Sequence, residues 1–247
     1  MENRVKKLLR YFSGTEWTLW MSSVALITVS FAVFDRENYL TLCSSLIGAT
    51  SLIFNAKGNP IGQALTIIFS ILYGIISYTF EYYGEMITYL GMTMPMAIFA
   101  LISWLRNPYK GNRAQVKVNS LKAKEILLML AAAALITLAF YFILKACGTA
   151  NMIPSTISVT TSFIAVYLTF RRSPLYALGY AANDIVLIVL WILATIEDMT
   201  YLSVVICFAM FLVNDIYGFV NWRKMRKKQA TDATGPVTER TADTPED

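Results

Sequence analysis

Long apolar segments alternate with short polar ones along most of the chain. Eight segments of 18 to 23 residues contain few charged residues. As α-helices they would be roughly 27 to 35 Å long, which is enough to cross the hydrocarbon core of a bilayer. The pattern therefore predicts an all-α membrane protein with eight transmembrane helices. The predicted spans are residues 17–34, 39–56, 61–80, 86–105, 126–147, 152–170, 174–196 and 201–220.

The two ends of the chain are predicted to differ in order. The first apolar segment is interpreted as a retained helix, because no small-residue cleavage site follows it and polar residues 35–38 lead directly into the next segment. Residues 1–38 would then form a cytoplasmic N-terminus and an additional transmembrane helix. At the other end, residues 225–247 are polar with little apolar surface to bury, which predicts a disordered cytoplasmic tail.

The distribution of positive charge predicts that both termini are cytoplasmic. Of the 21 Lys and Arg residues, 19 lie in the termini and in the loops on the same side of the predicted bundle. Only Arg36 and Lys145 lie on the other side, and cytoplasmic segments are the ones enriched in Lys and Arg. The outer loops are acidic and are expected to be solvated. Their carboxylates are Asp35, Glu37, Glu81, Glu85, Glu197 and Asp198.

Composition supports the membrane class and excludes several functions. The chain is 56% hydrophobic and 15% charged, with a mean hydropathy of +0.53, outside the usual soluble range. It contains no His and three scattered Cys, which argues against metal sites and imidazole catalysis. No phosphate-binding glycine loop or nucleophile elbow is present. We therefore expect no enzyme activity, no metal or cofactor, and no nucleic-acid partner.

An internal repeat relates spans two to four to spans six to eight. The junction at residues 57–60 resembles that at 171–174, since both are basic and both end in Pro at a helix start. The segment 102–106 resembles 220–224, and each contains Trp followed by a basic end. Because the offset is an even number of spans, the repeats are parallel. We predict a first three-helix repeat at 39–105, a second at 152–224, and a basic loop with a linker helix at 106–151.

Polar residues inside two of the spans are candidate ligand contacts. Asp184 lies near the middle of span seven, beside Asn183 and two turns before Trp191. A carboxylate at that depth needs solvent, a proton or a cationic partner, and no Lys or Arg lies near mid-depth in any span. Span three carries a polar stripe that is expected to face protein or water. It consists of Gln63, Thr66, Ser70, Tyr73 and Ser77.

The last span is polar along its cytoplasmic half, where Asn214, Asp215, Tyr217 and Asn221 occur. Such side chains either hydrogen-bond neighbouring helices or contact a ligand, and both readings stay open. The Ser and Thr residues of span six are expected to pack between helices. Candidate gating or hinge positions are Pro95, Gly179, Gly218 and Asn221.

The strings SPLYALGYAANDIVLIVLW and FLVNDIYGFVNWRK, with AKGNPIG and YYGE, resemble the PnuC family of vitamin transporters over residues 39–226. The resemblance implies a three-plus-one-plus-three helix core similar in plan to SWEET sugar transporters. It further implies a homotrimer that carries nicotinamide riboside by facilitated diffusion. The substrate would be trapped by cytoplasmic phosphorylation.

Site roles are carried over from the resemblance by motif position. They imply that Asn183 holds the ring carboxamide or ribose, that Asn214 and Tyr217 line the pocket floor, and that Trp191 stacks on the ring. Gln63 and Tyr73 would face them from the first repeat. The resemblance implies a Trp where this chain has Gly179 or Tyr180. Because that Trp would stack on the ring of the substrate, its absence bears on which vitamin this chain carries.

The leading hypothesis is a uniporter for nicotinamide riboside in a bacterial inner membrane, supporting NAD biosynthesis, in which two helix bundles rock about a site that includes Asp184. Thiamine, which is also cationic, is the alternative substrate, and the resemblance implies that another vitamin or a nucleoside is a further one. Proton-coupled symport through Asp184 is an alternative mechanism. A membrane enzyme or assembly protein is the alternative from another functional class.

Overall fold

The computed structural model describes residues 11–149 and 151–234, and these form eight helices long and apolar enough to span a membrane. This confirms the predicted all-α, eight-span fold. We number the spans α1 to α8. They are α1 (Gly14–Phe34), α2 (Tyr39–Ala56), α3 (Pro60–Thr79), α4 (Tyr83–Arg106), α5 (Ala123–Ala146), α6 (Met152–Phe170), α7 (Tyr176–Thr195) and α8 (Leu202–Thr234).

Local capping explains several helix starts. The Ser13 side chain accepts a hydrogen bond from the backbone N–H of Glu16, and the Glu16 carboxylate accepts one from the Ser13 N–H, which forms a capping box at α1. At α3, the Asn59 side chain accepts from the Ile61 N–H and Pro60 supplies the first helical residue. Helix α1 therefore begins three residues before the predicted span, at Gly14.

The two repeats make matching contacts at the face that carries the described chain ends, here called the terminal face. Trp104, at the end of α4, donates its indole N–H to the Thr169 carbonyl of α6 at 2.9 Å. Trp222, in α8, donates to the Asn55 carbonyl of α2 at 2.8 Å. In each case the third helix of one repeat caps the last turn of the first helix of the other, where carbonyls lack helical partners. The chain therefore folds as two parallel three-helix repeats, α2–α4 and α6–α8, joined by linker α5 and preceded by α1.

A short β-hairpin lies between α4 and α5, where the sequence predicted only a basic loop. Strand β1 (Pro108–Tyr109) pairs with β2 (Asn112–Val116) in antiparallel orientation. The backbone N–H of Val116 donates to the Gly58 carbonyl at 2.9 Å, and the Asn119 N–H donates to the Arg172 carbonyl at 3.0 Å. Gly58 and Arg172 are equivalent positions of the two repeats, so this one segment binds both repeats.

Helix α8 continues well past the predicted span, and the prediction of a disordered tail at 225–247 is wrong for residues up to Thr234. Gln229 explains the extension. Its side chain accepts a hydrogen bond from the Val118 N–H at 2.9 Å and donates to the Val116 carbonyl at 3.1 Å. A hydrogen-bonded contact with the hairpin offsets the entropy of ordering the helix. Residues 235–247 of the predicted tail, and residues 1–10 of the N-terminus, lie outside the described residues.

Helix α4 changes geometry immediately before Pro95. Residues Tyr89–Thr93 form a π-helical turn between the α-helical segments Tyr83–Thr88 and Met94–Arg106. Proline lacks an N–H and crowds the carbonyl four residues earlier, so the preceding turn widens. The turn exposes Tyr89 and Thr93 to the centre of the bundle, where they line the cavity described next.

Candidate functional site

A small cavity lies between the two repeats near the middle of the bundle. It has a volume of about 40 Å³, which leaves room for water but is far below the roughly 300 Å³ or more of a pocket that encloses a small organic ligand. The conformation is therefore closed around the site. The lining residues are Gly48, Ser51, Leu52 and Asn55 from α2, Thr66 and Phe69 from α3, Tyr89 and Thr93 from α4, Tyr180, Asn183 and Asp184 from α7, and Phe208, Phe211 and Asp215 from α8.

Two carboxyl groups meet at this cavity. Asp184 of α7 and Asp215 of α8 lie side by side and are 4% and 3% exposed. Asp184 Oδ2 has no hydrogen-bond partner among the described residues. Two neighbouring carboxylates in apolar surroundings repel each other strongly unless a proton or another cation lies with them. The lining residues described above include no Lys or Arg.

Asp184 was predicted to be a buried central group, and the structure places Asp215 beside it. Asp215 was not among the candidate binding residues. Asp215 was recognised only as one of several polar residues of the last span. The signal that could have identified it is the dipeptide Asn-Asp, which occurs at 183–184 in α7 and again at 214–215 in α8.

Asn183 is held in the cavity wall by hydroxyl groups of α6. Its Oδ1 atom accepts hydrogen bonds from Thr161 Oγ1 at 2.8 Å and Ser162 Oγ at 2.9 Å. These hydroxyls were expected to pack between helices, and they do so by positioning a residue that faces the cavity. With its oxygen engaged, the Asn183 amide is left to donate toward the cavity side, where Tyr89 is its neighbour.

The predicted first-repeat residue Gln63 lies behind the cavity rather than on its surface. Its Nε2 donates to Asn55 Oδ1 at 2.8 Å, and Asn55 Nδ2 donates to Thr66 Oγ1 at 3.2 Å. Asn55 and Thr66 line the cavity, whereas Gln63 is 1% exposed and is not among the lining residues. Asn55 was missed, although Ser51, four residues earlier on the same face of α2, also lines the cavity and could have signalled a polar stripe.

Tyr73 and Trp191 form an aromatic layer between the cavity and the face opposite the terminal face. Trp191 Nε1 donates to the Tyr73 hydroxyl at 2.9 Å. The Trp191 ring packs against Tyr82 and Tyr201 with ring centroids 5.0 and 5.7 Å away. Because Trp191 is fully buried in this layer and does not line the cavity, it does not stack on a ligand there in this conformation.

On the other side of the cavity, α1 connects the two repeats. Glu16 is 3% exposed and forms an ion pair with Lys57 at the end of α2, with 2.8 Å between Lys57 Nζ and Glu16 Oε2. The Tyr217 hydroxyl of α8 donates to Glu16 Oε1 at 3.1 Å. These side chains border a larger cavity of about 490 Å³ at the terminal face. The central site is thus closed from both faces.

Comparison with known proteins agrees with this architecture. Residues 38–224 match the family model described as nicotinamide mononucleotide transporter. The chain belongs to this family. The resemblance to PnuC transporters is confirmed, and, as expected, the match leaves α1 outside.

Individual PnuC proteins cover most of the chain. It is 28% identical over 223 residues to the nicotinamide riboside transporter PnuC of Neisseria mucosa, covering 87% of this chain and 84% of the relative. It is 22% identical over 214 residues to the PnuC of Haemophilus influenzae, covering 85% and 90%. A crystal structure of the vitamin B3 transporter PnuC superposes with a TM-score of 0.78 at 26% identity, covering 88% of this chain and 94% of the other.

In this family member, the polar residues of α8 other than Asp215 bind neighbouring helices. Asn214 Nδ2 donates to Ser23 Oγ of α1 at 2.9 Å, and Asn221 Nδ2 donates to the Ala56 carbonyl at 2.7 Å. Asn214 and Tyr217 are not among the residues that line the central cavity, to which α8 contributes Phe208, Phe211 and Asp215. Tyr217 and Asn221 instead border the cavity at the terminal face.

The candidate hinge glycines are positions of close helix packing. A Cβ added at Gly179 would lie 2.8 Å from the Ala165 Cα atom, so α6 and α7 approach each other there more closely than a side chain permits. A Cβ at Gly218 would lie 3.3 Å from the Tyr176 hydroxyl. Of the two positions at which the resemblance implies a Trp, Gly179 and Tyr180, Tyr180 lines the cavity and supplies an aromatic ring.

Two carboxylates expected in solvated loops are buried. Asp35 is 8% exposed, and burial raises the pKa of its carboxyl group above the usual range. Glu85 is 1% exposed, in the first turn of α4. The expectation of a solvated loop is therefore wrong for both, because Asp35, between α1 and α2, and Glu85, in α4, are covered by neighbouring parts of the fold.

Proposed function

We propose that this protein carries nicotinamide riboside across a bacterial inner membrane and that the central cavity is its substrate site. The observation that carries the proposal is the pair Asp184 and Asp215, two neighbouring carboxyl groups at mid-depth with no Lys or Arg in the described cavity wall. The pyridinium ring of nicotinamide riboside carries one positive charge, which balances the charge of the pair when the two carboxyl groups share one proton.

The charge of the cavity also favours the riboside over nicotinamide mononucleotide, the compound named in the description of the family model. A phosphate monoester adds about −1.5 to −2 charges at neutral pH, so the mononucleotide is anionic overall. It would place a phosphate in a cavity that contains two carboxyl groups and no basic side chain among its lining residues. The riboside is the substrate favoured by this chemistry, in agreement with the names of the two PnuC relatives, which are nicotinamide riboside transporters.

The surrounding residues suggest how the rest of the substrate is held. The Asn183 and Asn55 amides suit the ring carboxamide and ribose hydroxyls, since amides donate and accept hydrogen bonds. Tyr180, Phe208 and Phe211 supply aromatic faces for the ring. Gln63 orients Asn55, while Tyr73 and Trp191 close the site from the side opposite the terminal face.

Transport would proceed by rocking of the two repeats about the central site that includes Asp184. The aromatic layer would open toward the outside, and the contacts of Glu16 with Lys57 and Tyr217 would open toward the cytoplasm. Both termini lie on the cytoplasmic side, where the basic residues concentrate. Cytoplasmic phosphorylation traps the substrate, so facilitated diffusion suffices and no bond is broken by the transporter itself. Assembly as a homotrimer remains a prediction of the resemblance, and the mass of the detergent-solubilised particle tests it.

Two alternatives have specific support. Thiamine also carries a ring cation, so the acidic pair would attract it as well. Proton-coupled symport remains possible through the same pair, because two adjacent carboxyl groups can exchange a proton for a cation. If uptake is unchanged when the proton gradient is dissipated, the symport mechanism is excluded.

Calorimetric titration of the detergent-purified protein with nicotinamide riboside, its mononucleotide and thiamine tests the substrate. We expect micromolar binding of the riboside alone, and a loss of that binding in both Asp184→Asn and Asp215→Asn. The matched control is Asp198→Asn, in the loop between α7 and α8 at the face opposite the terminal face. This variant should bind the riboside with unchanged affinity. Binding of the mononucleotide alone would overturn the proposal, and binding of thiamine alone would replace the substrate.

A further inference from the structure

Glu85 is a buried carboxylate that forms no ion pair with any of the described residues. It lies in the first turn of α4, next to the face opposite the terminal face. Neither of its carboxylate oxygens has a hydrogen-bond partner within the described chain. Ser158 of α6 lies beside it without forming a hydrogen bond of normal geometry. An unpaired carboxylate in such a place costs several kcal/mol, so its retention requires a binding role, a proton or both.

Aromatic rings surround this carboxylate. Its electrostatic neighbours are Tyr73, Tyr82 and Tyr89. The Tyr73 and Tyr89 ring centroids are 4.4 Å apart, and the Tyr82 ring packs 5.0 Å from Trp191. Burial raises the pKa of the Tyr82 hydroxyl, so the ring stays neutral. The faces of neutral aromatic rings attract cations, and a carboxylate among them strengthens that attraction.

The cluster is continuous with the central cavity. Tyr89 both neighbours Glu85 and lines the cavity that contains Asp184 and Asp215. Ser158 lies beside Glu85 and also approaches Asn183 Oδ1 at 3.5 Å. Glu85 is therefore separated from the central acidic pair by a single layer of aromatic side chains, and it lies on the side from which a nutrient would enter.

We propose that Glu85 and the rings of Tyr73, Tyr82 and Tyr89 form an outer site that captures the cationic ring of the substrate before it reaches the central pair. The inference rests on the proposed function. It assigns the outer site to flat organic cations of the pyridinium class, and it makes Glu85 a determinant of selectivity for charge. A cation leaving this site would find the next carboxyl groups one aromatic layer further in.

The test compares two substrates of nearly the same shape and different charge. Nicotinamide riboside is a cation, and its reduced dihydropyridine form is neutral. Initial uptake of both is measured in proteoliposomes at substrate concentrations well below saturation. In Glu85→Gln we expect the ratio of cation to neutral uptake to fall at least about tenfold. The ratio within one variant does not depend on how much protein folds or inserts.

Glu81→Gln is the matched control, since it removes one negative charge from an exposed residue of the same turn. It should leave the ratio within about twofold. Glu85→Asp retains the charge and should retain most of the preference. Tyr82→Leu removes one ring of the cluster and should lower the ratio less than Glu85→Gln does.

Three results would overturn the outer site. An unchanged ratio in Glu85→Gln would show that Glu85 is permanently protonated, because glutamine mimics the neutral acid. Equal loss of both substrates would show a structural role only. A matching fall in Glu81→Gln would assign the effect to the general charge of the mouth. Failure of the proposed function is distinguishable, because the wild-type protein would then bind and transport neither form of the riboside.

Discussion

Replacing Trp222 by Phe should reveal how strongly the two repeats hold each other. The substitution removes the indole N–H that donates to the Asn55 carbonyl at 2.8 Å, in a side chain that is fully buried. A buried acceptor left without a partner costs about 1–3 kcal/mol, although hydrogen bonds in membrane proteins average nearer 0.6 kcal/mol. The smaller ring leaves a void of roughly 40 Å³, worth about 1 kcal/mol.

The expected loss is therefore about 1.5–4 kcal/mol of unfolding free energy for Trp222→Phe. Trp104→Phe should cost a similar amount, since it removes the matching 2.9 Å bond to the Thr169 carbonyl. The two rings are in contact, with centroids 5.4 Å apart, so the double variant should lose measurably less or more than the sum of the single losses. Denaturant unfolding in detergent micelles measures these differences.

The matched control is Trp20→Phe. Trp20 also donates an indole hydrogen bond, but its acceptor, Thr50 Oγ1, is a partly buried hydroxyl that already donates to the Leu46 carbonyl. We expect a loss below about 1 kcal/mol, because that hydroxyl keeps another partner. If Trp222→Phe and Trp104→Phe cost no more than Trp20→Phe, the two indole hydrogen bonds do not hold the repeats together as described above.

Four further substitutions test the roles assigned to individual polar residues. Asn183→Ala should abolish riboside binding in calorimetry while shifting the melting temperature little. Asn214→Ala should lower the melting temperature and leave the affinity for the riboside within about threefold. If each variant loses both binding and thermal stability, the division of roles between the two residues is refuted. Glu16→Gln removes the charge that pairs with Lys57 and should increase labelling of cysteines introduced at the terminal-face cavity; unchanged labelling would show that this contact does not close the site. Gln229→Ala should increase hydrogen exchange of the hairpin and of the end of α8 without changing transport, and unchanged exchange would mean that other contacts order this region.

Much of the architecture follows from the sequence because a bilayer imposes a simple constraint. Every backbone polar group in the hydrocarbon must be satisfied within its own helix, so an apolar segment of about 20 residues reads as a span. The parallel repeat was visible in the pairs of junctions because Pro60 and Pro174 start equivalent helices. Asp184 was identifiable because a carboxylate at mid-depth is costly wherever its partners lie.

The partners themselves were not identifiable, because each depends on residues far away in the chain. Asp215 becomes part of the site only when α8 packs against α7. Asn214, one residue earlier, points to α1 instead, since neighbouring helical residues face directions about 100° apart. Trp191 was expected to contact the ligand, but its indole N–H donates a hydrogen bond to Tyr73 of the other repeat. The hydrogen bonds of Gln229 order a segment whose composition alone predicts disorder.

The sequence by itself determined the eight spans, the repeat and the presence of a mid-depth acid, because hydropathy, length and the cost of buried charge act locally. Only the tertiary structure decided which polar residues face the cavity, which hold helices together and which acidic residues of the loops are buried. Glu85 shows the difference most clearly. Its sequence surroundings are those of a polar turn, and its 1% exposure results entirely from the helices that pack around it.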